Sequence, residues 1–69
     1  MEIISIYHLT RYWGRKQIVL CKVLGTYIVI ASFESAYTSA YSAYADTFTF
    51  DNLDEATLKY EELQDWWEL

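Results

Sequence analysis

Several things are scarce in this chain, and each scarcity excludes a class of chemistry. Cys21 is the only cysteine among 69 residues. No intrachain disulfide can therefore form, and a reducing, cytoplasmic compartment suits the chain. His8 is the only histidine, and with Cys21 it falls short of the roughly four Cys/His ligands of a structural zinc site. Gly14 and Gly25 are the only glycines, so no glycine-rich phosphate loop exists. The most apolar run, from Ile18 to Phe33, is 16 residues long and carries Lys22, Gly25 and Thr26. A membrane span needs about 20 predominantly apolar residues. Met1-Glu2-Ile3-Ile4 has neither the basic region nor the clean apolar run of a signal peptide. No metal, cofactor or membrane is expected.

Catalytic groups are scarce as well. A Cys–His pair across a sheet would join Cys21 to His8, but a nucleophilic cysteine wants an electropositive, partly exposed site. Cys21 sits instead within an apolar strand face, where a buried structural thiol is the better reading. A chain this short encloses no cleft for paired carboxylates. The sequence reads as a protein that is not an enzyme.

What is abundant is apolar and aromatic mass: 54% hydrophobic and 19% aromatic. A domain of this size buries only about 60% of the surface its unfolded chain exposes, so that density is what allows one domain to form without a covalent staple, and it leaves aromatics over for a surface. Charge is divided along the length. Residues 1–33 hold Arg11, Arg15, Lys16 and Lys22 against Glu2, a net of +3, whereas residues 34–69 hold nine acids against Lys59, a net of −8. Such polarity bears on partners rather than on fold.

The expected class is α+β: an antiparallel sheet of three to four strands with one C-terminal amphipathic helix packed on one face. Strands are expected at about 2–9, 17–24, 27–33 and 46–50. Gly25-Thr26 fits a two-residue type II′ turn, which wants Gly first, and sets Leu24 opposite Tyr27 and Cys21 opposite Ile30. One hairpin face then shows Val19, Cys21, Val23, Ile28 and Ile30. The other shows Ile18, Leu20, Leu24, Tyr27, Val29 and Phe33, interrupted by Lys16 and Lys22. Both faces are largely apolar, and one helix covers only one of them. The other must be covered by the Ser-Ala-Tyr segment 34–45, by a second copy of the chain, or by a target protein. In that segment Tyr37, Tyr41 and Tyr44 stand at helical spacing, but Ser, Thr and Tyr are indifferent helix formers, and an extended or hairpin form is slightly favoured.

The helix is expected over about 52–67. Asn52 is its cap, Glu55 completes a capping-box spacing, and Lys59 stands four residues on as a partner for Glu55. Its stripe is Leu53, Ala56, Tyr60, Leu63 and Trp67. At 100° per residue Asp54, Glu61, Asp65 and Glu68 fall within about 60° of one another, flanking that stripe. Glu61, Glu62, Asp65 and Glu68 stand in the last turns, where negative charge costs about 0.3–1 kcal/mol. These acids either solvate the helix, pair with Arg11, Arg15 and Lys16, or stand in for phosphates and block a basic nucleic-acid channel. Trp66 lies off the stripe, and exposed Trp and Tyr beside charge resemble a binding hot spot. The basic aromatic turn Arg11-Tyr12-Trp13-Gly14-Arg15-Lys16 has the residue types that grip single strands, but the net acidity favours a structural turn over direct nucleic-acid contact.

The passage Phe48-Thr49-Phe50-Asp51-Asn52-Leu53-Asp54-Glu55-Ala56, with the small size, net acidity and sheet-then-acidic-helix layout, resembles small phage-encoded inhibitors of bacterial defence, the anti-CRISPR proteins among them. The resemblance covers about a third of the chain. It implies stoichiometric inhibition of a nuclease or CRISPR surveillance complex in a bacterial cytoplasm. The partner-binding residues would be Asp54, Glu61, Glu62, Asp65, Glu68 and Trp66, with Tyr37, Tyr41 and Tyr44. The alternative is a small homodimeric structural or adaptor module that uses the uncovered sheet face.

Overall fold

The computed structural model describes residues 1–11, 14–35 and 42–66. Four strands, β1 (Glu2–Arg11), β2 (Gly14–Val23), β3 (Thr26–Ser35) and β4 (Ser42–Phe50), are followed by one helix, α1 (Leu53–Trp66). The strands form a single antiparallel sheet in chain order, β1-β2-β3-β4. α1 lies across β2, β3 and β4 on one face. This is the α+β layout expected, with four strands. Among the described residues no helix is long and apolar enough to cross a membrane.

The strands are longer than their sequence pattern suggests. β1 and β2 pair as far as Arg11 opposite Gly14, where the sequence predicts the turn from Arg11 to Lys16. The cause lies on β2: Gly14 and Lys16 are both buried, so pairing starts before the recognisable apolar run. Likewise β3 and β4 pair out to Ser35 opposite Ser42. The described ends of the 34–45 segment are therefore strand, in keeping with the hairpin reading. Tyr37 and Tyr41 lie outside the described residues.

The β2–β3 turn differs from expectation in type and register. Val23 pairs with Thr26, leaving Leu24 and Gly25 as the two central residues, and both have positive φ (49° and 82°). Positive φ at both positions is the type I′ pattern. Gly25 satisfies either turn, so turn chemistry alone leaves the register open and the pairing of the whole sheet decides it. Cys21 therefore faces Ile28 rather than Ile30. A slide of two residues along the partner preserves the faces, because side chains alternate with period two. Leu24 moves from sheet face to a fully exposed turn, and Thr26 from the turn into β3.

The core lies between the inner sheet face and the helix. Ile18 and Leu20 from β2, Val29 and Ala31 from β3, and Ala56, Tyr60 and Leu63 from α1 are buried together, with Tyr7, Tyr27, Phe48 and Phe50 packed around them. Full burial of an aliphatic such as Ile18 or Val29 stabilises by about 1.5–3 kcal/mol. Ala56 has no exposed surface, which is what lets the helix backbone approach the sheet. Leu53 departs from the expected stripe: it is the first helical residue, beside the cap, and is 41% exposed. Trp67 lies outside the described residues. A β-bulge between Ile3 and Ser5 resets the facing of β1. Ile3 then faces outward with Cys21, while Ser5 faces the helix and shares a 2.9 Å hydrogen bond with the Tyr60 hydroxyl.

Candidate protein-interaction surfaces

The helix face is built from its two ends. At the start, the Glu55 N–H donates to Asn52 Oδ1 at 2.9 Å and the Ala56 N–H donates to the Asn52 carbonyl at 3.3 Å. This is the N-cap the sequence indicates. Asp54 and Glu55 in the first turn suit the positive end of the helix dipole.

The far end is held from outside the helix. α1 has no basic residue in its last turn, and the last four carbonyls of any helix lack intrahelical donors. Lys16, only 3% exposed, reaches over from β2 and donates from Nζ to the Gln64 carbonyl at 2.6 Å and the Leu63 carbonyl at 3.5 Å. Its ammonium also lies 5.7 Å from the Tyr7 ring centroid. Lys16 interrupts the inner face as expected, and among the described helix acids none pairs with it. It meets carbonyls, because its position in mid-sheet lies under the helix end rather than beside the solvent face. The sequence carries a signal for this: lysine on an apolar strand face and one helix without a cation at its C-terminus.

The acids occupy the solvent side. Asp54, Glu61, Glu62 and Asp65 are all exposed. Measured from the buried trio Ala56, Tyr60 and Leu63, the directions of Asp54, Glu61 and Asp65 lie about 150° away, so they back the stripe rather than flank it. Lys59 pairs with Glu62 at 3.7 Å and lies 4.5 Å from the Phe48 ring centroid. The expected Glu55–Lys59 pairing is replaced because Phe48 draws the ammonium toward the sheet side. Arg15 belongs to the opposite sheet face, where its Nε donates to Glu34 Oε2 at 2.5 Å. Arg11 is exposed and donates to its neighbour, the Thr10 carbonyl, at 3.5 Å. Among the described residues no helix acid pairs with Arg11, Arg15 or Lys16. Glu68 lies outside the described residues, as do the side chains of Trp66 and Tyr44.

The charge balance is sharp once placed. Residues 51–65 carry Asp51, Asp54, Glu55, Glu61, Glu62 and Asp65 against Lys59, a net of −5; the remaining residues carry four cations and four carboxylates and sum to zero. The whole net charge of the chain is on the helix and its approach.

The second surface is the outer sheet face. Cross-strand pairing sets Ile3, Cys21, Ile28 and Thr49 in one row and Ile6, Val19, Ile30 and Thr47 in the next. Beyond them come His8, Gln17, Ser32 and Ala45, then Thr10, Arg15, Glu34 and Ala43. Ile3 and Ile6 are 48% and 55% exposed. Cys21 is fully buried, and the Ile6–Val19 row separates it from His8. A shallow depression of about 230 Å³ marks the polar end, lined by His8, Arg15, Lys16, Gln17, Ser32 and Glu34. Among the described residues no group of three His, Cys, Asp or Glu side chains is placed to hold a metal ion. No family model matches the chain, and neither curated proteins nor solved structures give a match to it.

Proposed function

We propose that this protein is a non-enzymatic inhibitor that docks its acidic helix on a basic, nucleic-acid-binding surface of another protein. The target class suggested by its layout is a bacterial defence nuclease or CRISPR effector. The observation that carries the reading is the placement of charge. All of the net −5 lies on residues 51–65, and Asp54, Glu61 and Asp65 project together into solvent. Glu61 and Asp65 are like charges four residues apart, an arrangement that destabilises a helix by about 0.2–0.5 kcal/mol. They also stand toward its negative end. Folding gains nothing from Glu61 and Asp65 in these places, whereas a surface of Lys and Arg that normally holds phosphates would gain from them.

A tagged chain offered to bacterial lysate across a salt series tests this. The expected result is a defined partner retained at low salt and released as salt rises, since exposed charge contacts are screened within about 8 Å at physiological ionic strength. The variant Asp54→Lys, Glu61→Lys, Asp65→Lys, Glu68→Lys should lose that partner while keeping its circular dichroism spectrum. Equal retention by the folded variant would overturn the proposal.

A further inference from the structure

We infer that the outer sheet face is an interface between two copies of this chain, packed sheet against sheet. Three features point to a second copy as its occupant. The first is composition. Ile3, Ile6, Val19, Val23, Ile28 and Ile30 form a continuous apolar area over β1, β2 and β3, bordered by Thr47 and Thr49 along β4 and by the polar and charged residues at one end. An antiparallel sheet with a solvated face alternates apolar and polar residues along each strand, and β2 departs from this across Val19, Cys21 and Val23.

The second feature is charge. The charged residues set on this face by the register are Arg15 and Glu34, and they pair with each other. The face is neutral and offers nothing to attract a charged partner. A second copy, equally neutral there, matches it. Face-to-face packing also leaves the two acidic helices on the outer sides of the assembly, where their repulsion is weakest.

The third feature is area. Four strands at about 4.8 Å spacing and ten residues at about 3.3 Å rise give a face of roughly 600 Å². Two such faces bury roughly 1,200 Å², the lower end of stable interfaces. A single helix, about 10 Å wide, would leave half of that face bare, whereas a second sheet at about 10 Å separation covers it.

Sedimentation equilibrium of the intact protein over a micromolar concentration series tests the inference, with high salt as a second condition. The expected result is reversible association from 8.2 kDa to twice that mass, undiminished by salt. Ile6→Lys, at a position already 55% exposed, should weaken association at least tenfold with an unchanged circular dichroism spectrum. Sedimentation of the unaltered chain as a monomer throughout would overturn the inference and leave the face to a different protein. So would a dimer that survives Ile6→Lys but is lost on reversal of Asp54, Glu61 and Asp65. The first outcome leaves the docking of the acidic helix untouched, which the lysate experiment reads separately; the second would place the helix acids in self-association instead.

Discussion

Replacing Lys16 by methionine sets the two opposing effects of a buried ammonium against each other. Lys16 is 3% exposed and holds the Gln64 carbonyl at 2.6 Å. A hydrogen bond from a charged donor contributes about 1.5–3 kcal/mol. The second contact, to Leu63 at 3.5 Å, is at the outer limit of hydrogen-bond geometry and adds little. A cation at a partly buried helix C-terminus is worth up to about 2 kcal/mol, but it acts on the same carbonyls and is not added again. Against these stands the desolvation of the ammonium, several kcal/mol per ion, which methionine avoids while keeping a stem of similar volume. We expect the carbonyls to win, because the contribution of about 1.5–3 kcal/mol is a net value that already includes the exchange of water for protein partners and no cation in the last helical turn replaces the donor. Lys16→Met should then destabilise by about 1–2 kcal/mol. At about 4–8 °C per kcal/mol for a chain of this size, Tm should fall by roughly 5–15 °C. Thermal melting followed by far-ultraviolet circular dichroism measures it, and salt should leave the difference unchanged because the contact is buried. A methionine variant as stable as the parent, or more so, would refute the reasoning, since desolvation of the ammonium would then outweigh its hydrogen bonds.

Two further substitutions test local chemistry. Leu24 holds φ of 49° at a fully exposed position, so Leu24→Asn should raise Tm by a few degrees, as Asn-Gly is the preferred type I′ pair; no rise in a thermal melt would count against that turn. Removing the cap with Asn52→Ala should cost about 1 kcal/mol in denaturant unfolding and should leave partner binding intact. A loss below the error of the measurement would mean that Asn52 is not the group holding the Glu55 N–H.

The sequence by itself determined the elements and their faces. Period-two alternation put Ile18, Leu20 and Val29 on one side and Val19, Cys21 and Ile28 on the other, and those groupings do not depend on which turn joins the strands. Asn52 and the stripe Ala56, Tyr60 and Leu63 defined the helix and its buried side, because capping and 3.6-residue periodicity are local. The exposed acids were legible for the same reason. Only the tertiary structure decided what lies between elements. The register of β2 on β3 needed the whole sheet, since Gly25 satisfies two turns equally. The facing of Ile3 needed the bulge in β1. The destination of Lys16 depended on where a helix end some fifty positions later came to rest, and no local pattern carries that distance. The same holds for Arg15, which turned from the acidic helix to Glu34 because adjacent strands bring those two side chains together on the face the helix does not cover.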